Sequence, residues 1–301
     1  MTSPIALFTF NRLWHTQQTI DSLKRNLLAA ESDLIIFSDG PRNDNDVNSV
    51  EQVRNYIGQV SGFKSVSIVT NKTNAGLARS IITGVTSVLN KYDRVIVLED
   101  DMVTSPYFLS YMNQGLDLYA QDENVISVHG YIYPIKGKLP PSFFVRGAHC
   151  WGWATWRRGW DLFEENGQKL LDQLKLRNLT FEFDYNGTYP FTKMLSDQIE
   201  GLNNSWAIRW HASAFLKNKL TLYPASSLVR NIGFDQSGTH SNSYDTVYDV
   251  RLTDNDIHLD RIETKELPEA RIALVEFFRR IRPTLMKRAW RKLISVIRRL
   301  T

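Results

Sequence analysis

At 301 residues, with 43% hydrophobic and 23% charged side chains, the chain has an ordinary globular composition, long enough for one large domain with extensions. Its single cysteine, Cys150, excludes an intramolecular disulfide and a cysteine-rich zinc site, and no apolar run approaches a membrane span or a secretory leader, so a reducing, cytoplasmic setting is expected. The net charge of +4 hides an asymmetry: ten of the 36 basic residues but one of the 32 acids, Glu276, lie from Arg271 onward, leaving 26 basic against 31 acidic residues before it. A negative body with a basic end argues against nucleic acid and for a local contact with an anionic surface.

Pro4 to Phe10 reads as a buried strand ending at Asn11-Arg12. Ile20, Leu23 and Leu27 then fall at helical spacing and predict a helix from Trp14 to about Ala29. Asp33 to Ser38 is a second strand, closed by the turn Asp39-Gly40-Pro41, and Val47, Val50, Val53, Ile57 and Val60 mark a second helix. Ser65 to Thr70 is a third strand, Asn71 to Asn74 a loop, and Gly76 opens a helix carrying Leu77, Ile81, Val85 and Val88. Val95-Ile96-Val97-Leu98 has no polar alternation, as in a parallel strand buried on both faces, and it stops at Glu99-Asp100-Asp101. Strands alternating with helices predict an α/β fold with a mainly parallel sheet, whose carboxyl edge collects Arg12, Asp39, Asn74 and the acidic triplet.

That triplet is the strongest chemical signal. Two carboxylates ~5 Å apart repel by roughly 3 kcal/mol at an effective dielectric of 20, so a fold keeps them together only with a cation, a proton or open water. Hard oxygen ligands suit Mg²⁺ or Mn²⁺, with a substrate phosphate completing the shell; the bland reading is a solvated turn capping the helix that opens at Ser105-Pro106. Neither G-x-G-x-x-G nor a P-loop is present, so phosphates bound at this edge need a cation and basic side chains.

Taken together, T-F-N-R (Thr9 to Arg12), F-S-D-G (Phe37 to Gly40), N-x-G-x-x-x-S (Asn74 to Ser80) and L-E-D-D (Leu98 to Asp101) resemble the GT-A class of nucleotide-sugar glycosyltransferases, the last looking like its metal-binding D-x-D element. With the S-P-x-F helix and Val125 to Gly130, the chain looks most like the inverting N-acetylglucosaminyltransferases and their bacterial surface-polysaccharide relatives. The resemblance implies a probe set of roles: Asp39 on the uracil or ribose of a UDP-linked donor, Arg12 against the base or diphosphate, Asp101 on the metal, and Glu99 and Asp100 orienting ribose and sugar. Arg79 is in reach of a phosphate. The structural alternatives are a salt bridge from Arg12 to a sheet-edge acid such as Asp39, a turn-stabilising Asp39, and an exposed Arg79.

The helix Ser105 to Ala120 and the strand Asn124 to Val128 complete the first half, set at residues 1–130, and 131–262 should receive a glycan or lipid-linked acceptor. Cys150 to Trp160 holds four tryptophans among glycines, and Trp151 and Trp153 are candidates for stacking on a sugar in a lid-like loop, against a core role for the same rings. Residues 161–200 read as helical with a link near Asn186-Gly187, and Thr221 to Val229, interrupted by Pro224, as an edge segment. His240, in the polar loop 231–243, is a second candidate metal ligand, or merely exposed. An inverting transfer needs a carboxylate base, which the resemblance puts just before Trp206; Asn203-Asn204-Ser205 stand there instead, so Asp197 or Glu200 becomes the candidate. Residues 263–301 form a basic amphipathic tail, with helices over Glu269 to Ile281 and Thr284 to Leu300, expected on an anionic membrane or docked on a protein surface. The competing functions are a sugar-nucleotide nucleotidylyltransferase, which lacks its Gly-rich basic loop here, and a non-catalytic sugar-nucleotide or glycan-binding protein.

Overall fold

The computed structural model describes residues 2–235 and 246–282. In chain order the strands and α-helices are β1 (Ile5–Thr9), α1 (Leu13–Lys24), β2 (Asp33–Ser38), α2 (Asp44–Ile57), β3 (Ser65–Thr70), α3 (Leu77–Lys91), β4 (Arg94–Glu99), β5 (Met102–Thr104), α4 (Phe108–Leu118), β6 (Val125–His129), β7 (Ser142–Arg146) and β8 (Trp153–Trp156). They continue as α5 (Arg157–Trp160), α6 (Gly167–Leu176), α7 (Thr180–Phe183), α8 (Phe191–Ile199), α9 (Trp206–Leu216), β9 (Leu220–Pro224), β10 (Val229–Asn231) and α10 (Pro268–Ile281).

Eight strands form one sheet in the order β3-β2-β1-β4-β8-β6-β9-β7, while β10 pairs with β5 beside it. β3, β2, β1 and β4 run parallel, β8 is antiparallel to β4 and β6, and β7 is antiparallel to β9, so the sheet is mainly parallel as expected. Because successive side chains on a strand point to opposite faces, Ile5 and Leu7 pack with Ile20, Leu23 and Val53 of α1 and α2, whereas Ala6 and Phe8 pack with Ile81 and Val85 of α3. The chain walks outward from β1 through β2 to β3, then returns to lay β4 on β1's other side. That reversal leaves a crevice at the carboxyl ends of β1 and β4, which is where open sheets of this kind bind ligands.

Several expectations change. The tryptophan segment is not a lid: Trp153 pairs with Val97 of β4 and His129 of β6, is 1% exposed, and meets the rings of Trp160, Trp206 and Trp210 at 5.7, 5.4 and 5.7 Å. Trp156 and Trp160 are also buried, their indole N–H groups donating to the Leu116 carbonyl and the Thr86 hydroxyl. The Pro224 segment is an interior strand, since β9 lies between β6 and β7; proline is accommodated as its last residue. α9, buried on every side except Ala207, is a core helix, held at its start by the Ser205 hydroxyl accepting from the Ile208 amide at 3.2 Å. The first helix of the expected tail, α10, docks on the body through Ala270, Leu274, Phe277 and Phe278. Docking on a protein surface was one of the two expectations for this helix, and the second expected helix, Thr284 to Leu300, lies outside the described residues.

Candidate active site

Arg12 follows β1 and Glu99, Asp100 and Asp101 end β4, so the sheet's chain reversal brings together side chains 88 and 89 residues apart. Arg12 Nη2 donates to Asp100 Oδ1 and, at 2.8 Å, to Asp101 Oδ2, and Arg12 Nε lies 3.4 Å from Asp100 Oδ2. The backbone is pinned as well: the Thr19 hydroxyl of α1 donates to the Asp100 carbonyl at 2.7 Å, and the Ile232 amide donates to the Asp101 carbonyl at 2.9 Å. Residues 231–235, continuing from β10, thus cross the triplet as a strap. Gly233 packs so closely that a Cβ there would overlap Asp101 Oδ2 and stand 3.2 Å from Arg12 Nη1. His15 Nε2 lies 3.0 Å from Asp235 Oδ2 and fastens the strap to α1.

Burial dominates the electrostatics. Glu99 is pushed up to about 8, first by burial and then by the charges of Asp101 and Asp100, so it holds its proton at neutral pH. Burial also raises Asp100, against the pull of Arg12. Cys150 is raised by burial and by the neighbouring Glu99 and Asp101, leaving a neutral thiol rather than a nucleophile. With Glu99 neutral, two carboxylates face one guanidinium. Asp101 Oδ1 and Arg12 Nη1 are both enclosed and without a hydrogen-bond partner among the described residues, one an acceptor and the other a donor.

That pair fits a divalent cation bound with a phosphate. Mg²⁺ and Mn²⁺ are commonly held by one or two carboxylates and substrate phosphates rather than by a closed protein cage. Among the described residues no group of three His, Cys, Asp or Glu side chains forms such a cage. Asp101 would supply the protein oxygen and Arg12 a charge-assisted bond to phosphate.

Beside this crevice, Asp39 ends β2 and organises the next loop. Its Oδ1 accepts from the amides of Gly40 and Ala75 at 2.9 Å and from Asn71 Nδ2 at 3.0 Å, while Oδ2 accepts from the Gly76 amide at 2.9 Å. Asn74 Nδ2 donates to the Gly40 carbonyl at 2.9 Å, and Gly76, at φ +79°, lets the chain turn into α3. Arg54 of α2 reaches over to the carbonyls of Asp39 and Asn71 at 3.2 and 2.7 Å.

Residues 5–191 match the family model of glycosyl transferase family 2. The chain belongs to this family. The matched span includes Arg12, Asp39 and the triplet, and the fold is the GT-A arrangement of a mainly parallel sheet between helices. No curated protein matches its sequence. Solved structures similar to this chain include the mannosyltransferase PcManGT from Pyrobaculum calidifontis in complex with GDP-Man and Mn²⁺ (12% identity, TM-score 0.35, covering 58% of this chain and 47% of that one). S. aureus TarS matches at 14% identity and TM-score 0.31 over 49% of this chain and 25% of its own. A UDP-glucose pyrophosphorylase complexed with UDP-glucose matches at 14% and 0.34 over 74% and 90%. The chain thus spans about half of the first of these and a quarter of the second.

The remaining candidate residues are scattered. Arg12 pairs with the triplet and not with Asp39, whose two carboxylate oxygens accept from the loop that leads into α3. Arg79 is exposed on the first turn of α3. Trp153 is sealed in the core and cannot stack on a sugar; Trp151 is only partly buried, among Tyr131, Tyr133, Phe234 and Tyr248 at 4.7 to 6.2 Å. Asp197 and Glu200 close α8, which packs on α6 and α9. Lys193 Nζ grips both Asp197 oxygens at 2.6 and 2.7 Å, and exposed Glu200 accepts from the Ser196 hydroxyl at 3.1 Å. No hydrogen bond or ion pair among the described residues links either carboxylate to the triplet. His240 lies outside the described residues. Sequence reasoning missed Arg54, which reads as a solvent-face residue of its helix, and the strap, whose only signal was a loop glycine.

Proposed function

We propose that this glycosyltransferase is metal-dependent and inverting, moving a sugar from a UDP-linked donor to a glycan or lipid-linked acceptor in surface-polysaccharide synthesis, on the cytoplasmic side. The observation that carries the reading is the pairing of unpartnered Asp101 Oδ1 with unpartnered Arg12 Nη1 at the β1–β4 crevice. A donor diphosphate is anionic, and so is the crevice once Asp100 and Asp101 outweigh Arg12; a divalent cation removes that repulsion and stabilises the departing diphosphate. Asp101 is the metal ligand of this reading, Arg12 the diphosphate partner, and Asp100 the group that holds Arg12 in place. Asp39, Asn74 and Arg54 shape the loop beside the nucleoside, Glu99 as a neutral acid can donate to a sugar hydroxyl, and Arg79 stands by to reach phosphate. Trp151 borders the acceptor side.

His240 is the second metal ligand of this proposal. What supports it is sequence proximity, since Ile232 and Gly233, eight and seven residues before it, lie against Asp101. For the proton acceptor we assign Glu200 over Asp197, whose lone pairs are taken by Lys193. Asn204 cannot serve, and that favours a second reading, a non-catalytic donor-binding protein.

The test is calorimetry with UDP-, GDP- and dTDP-sugars, with and without Mn²⁺, on the wild type and Asp101→Ala. The expected outcome is Mn²⁺-dependent binding of a UDP-sugar, lost in Asp101→Ala while the melting temperature holds. Unchanged metal-dependent affinity in Asp101→Ala removes Asp101 from the site, and donor binding with no Mn²⁺-dependent hydrolysis favours the second reading.

A further inference from the structure

We infer that Arg54 is a positioning residue for the nucleoside end of the donor site, setting affinity for the nucleoside without touching it. The inference rests on the proposed donor reading, in which the loops after β2 and β3 lie beside the nucleoside, and it adds the group that ties those loops to each other. β2 and β3 run parallel in register and end together at Ser38 and Thr70, so both loops leave the same edge of the sheet. Past that edge they meet backbone to backbone. A Cβ on Gly40 would fall 2.5 to 2.7 Å from backbone atoms of Thr73, and Asn74 Nδ2 donates to the Gly40 carbonyl at 2.9 Å.

Two charged side chains divide the backbone groups of this contact between them. The Asp39 carboxylate takes the donors, the amides of Gly40, Ala75 and Gly76. Arg54, in the last turn of α2, takes the acceptors: its Nη2 donates to the Asn71 carbonyl at 2.7 Å and the Asp39 carbonyl at 3.2 Å, and its Nε to the Ser38 hydroxyl at 3.3 Å. Carbonyls past the end of a strand have left the ladder and need such a donor. The guanidinium fork suits the task because it presents rigidly spaced N–H groups to both loops at once, which a compact lysine ammonium does not. Val53 and Ile57 bury the same helix turn in the core, so the fork is delivered from a fixed base. Without Arg54 each loop would keep its own attachment, the Asp39 amide to the Thr9 carbonyl and the Asn71 amide to the Ser38 carbonyl, both at 3.0 Å. The sheet would therefore stand while Asp39 lost the tie on its backbone. None of these bonds reaches Arg12 or Asp101, so the nucleoside end and the diphosphate end of the crevice are braced separately.

The experiment is calorimetry on the full chain with Mn²⁺, using UDP and inorganic pyrophosphate as probes, on the wild type, Arg54→Lys and Arg54→Gln. A loop that must be ordered when ligand binds costs affinity, so both variants should bind UDP about tenfold more weakly. Pyrophosphate, which tests the Asp101 and Arg12 end alone, should bind each variant as it binds wild type. That split is what a general loss of structure would not produce, and Arg54→Lys decides should Arg54→Gln fail to fold. The inference is overturned if Arg54→Lys binds UDP like wild type, or if both probes weaken together. Wild type that binds pyrophosphate but gains nothing from the nucleoside overturns the donor reading itself, and this inference with it.

Discussion

The interior imidazoles should make this protein sensitive to acid, and His149 gives the effect a size. His129, His149 and His211 form a chain with ring centroids 5.8 and 5.0 Å apart, walled by Tyr133, Phe183, Phe191 and Tyr223. Burial lowers all three, His149 to about 4. Its Nδ1 faces the Tyr133 hydroxyl at 3.1 Å and its Nε2 has no partner among the described residues, so a charged imidazolium would keep a buried N–H without an acceptor. Below the unfolded value of about 6.5 the unfolded chain takes up a proton that the folded chain refuses, so stability falls as pH falls from there to about 4. Linkage gives a loss of about 2 kcal/mol at pH 5 relative to pH 8, approaching about 3.4 kcal/mol below pH 4, from this residue alone. Glu99 acts with the opposite sign, since its raised value costs stability as pH climbs from the ordinary carboxylate range toward about 8. The wild-type profile therefore mixes both, and His149→Gln isolates the first. Urea unfolding followed by tryptophan fluorescence at pH 8 and pH 5 should show the stability difference between wild type and His149→Gln shifting by about 2 kcal/mol in the variant's favour at pH 5. A difference that stays constant over this range would mean that His149 is not held neutral by its surroundings.

Two further predictions concern the site. Glu200→Gln should lower turnover by about 10²-fold or more with donor affinity little changed, the usual scale for a lost general base, and Asn204→Asp in that background should restore part of it; steady-state kinetics decide, and full activity of Glu200→Gln refutes the assignment. Gly233→Ala should weaken nucleotide-sugar binding roughly tenfold in calorimetry, because the added Cβ overlaps Asp101 Oδ2 and sits 3.2 Å from Arg12 Nη1; wild-type affinity would mean that the strap moves away when donor binds.

Where local sequence determines structure, the reading was close. β2 and β3 form over the residues expected because compact apolar runs are bounded by turn residues, and the triplet ends β4 because a both-faces-buried strand has no polar position until Glu99. The helix after β1 stops at Lys24 rather than near Ala29 because Asn26 turns inward, its Nδ2 donating to the nearby Ser22 carbonyl and, 78 residues away, to the Thr104 hydroxyl, and its Oδ1 accepting from the Leu109 amide 83 residues away. The tryptophans fail as a local signal for the same reason. An indole that stacks on sugar and one that fills a core have the same composition around them, and only the pairing of Trp153 with Val97 and His129 selects the core. Pro224 looked like an edge marker, yet β7 supplies a further neighbour from eighty residues upstream.

The site itself was legible as a list of carboxylates and not as a charge balance. Asp100 and Asp101, nearly buried, would repel each other without relief; Glu99 relieves them by staying protonated and Arg12 by bridging both. On the proposed reading, donor binding exchanges these partners. Asp101 would hold a divalent cation through its unpartnered Oδ1, the cation supplying the charge that balances a diphosphate, and Arg12 Nη1 would donate to that diphosphate. Each charged group leaves one ion pair only to enter another, so the crevice meets a multiply charged ligand without a buried charge standing unpaired at either stage. Removing Arg12 should then be felt before any donor arrives, as a destabilised free protein, which sets it apart from a residue such as Arg79 that is exposed throughout.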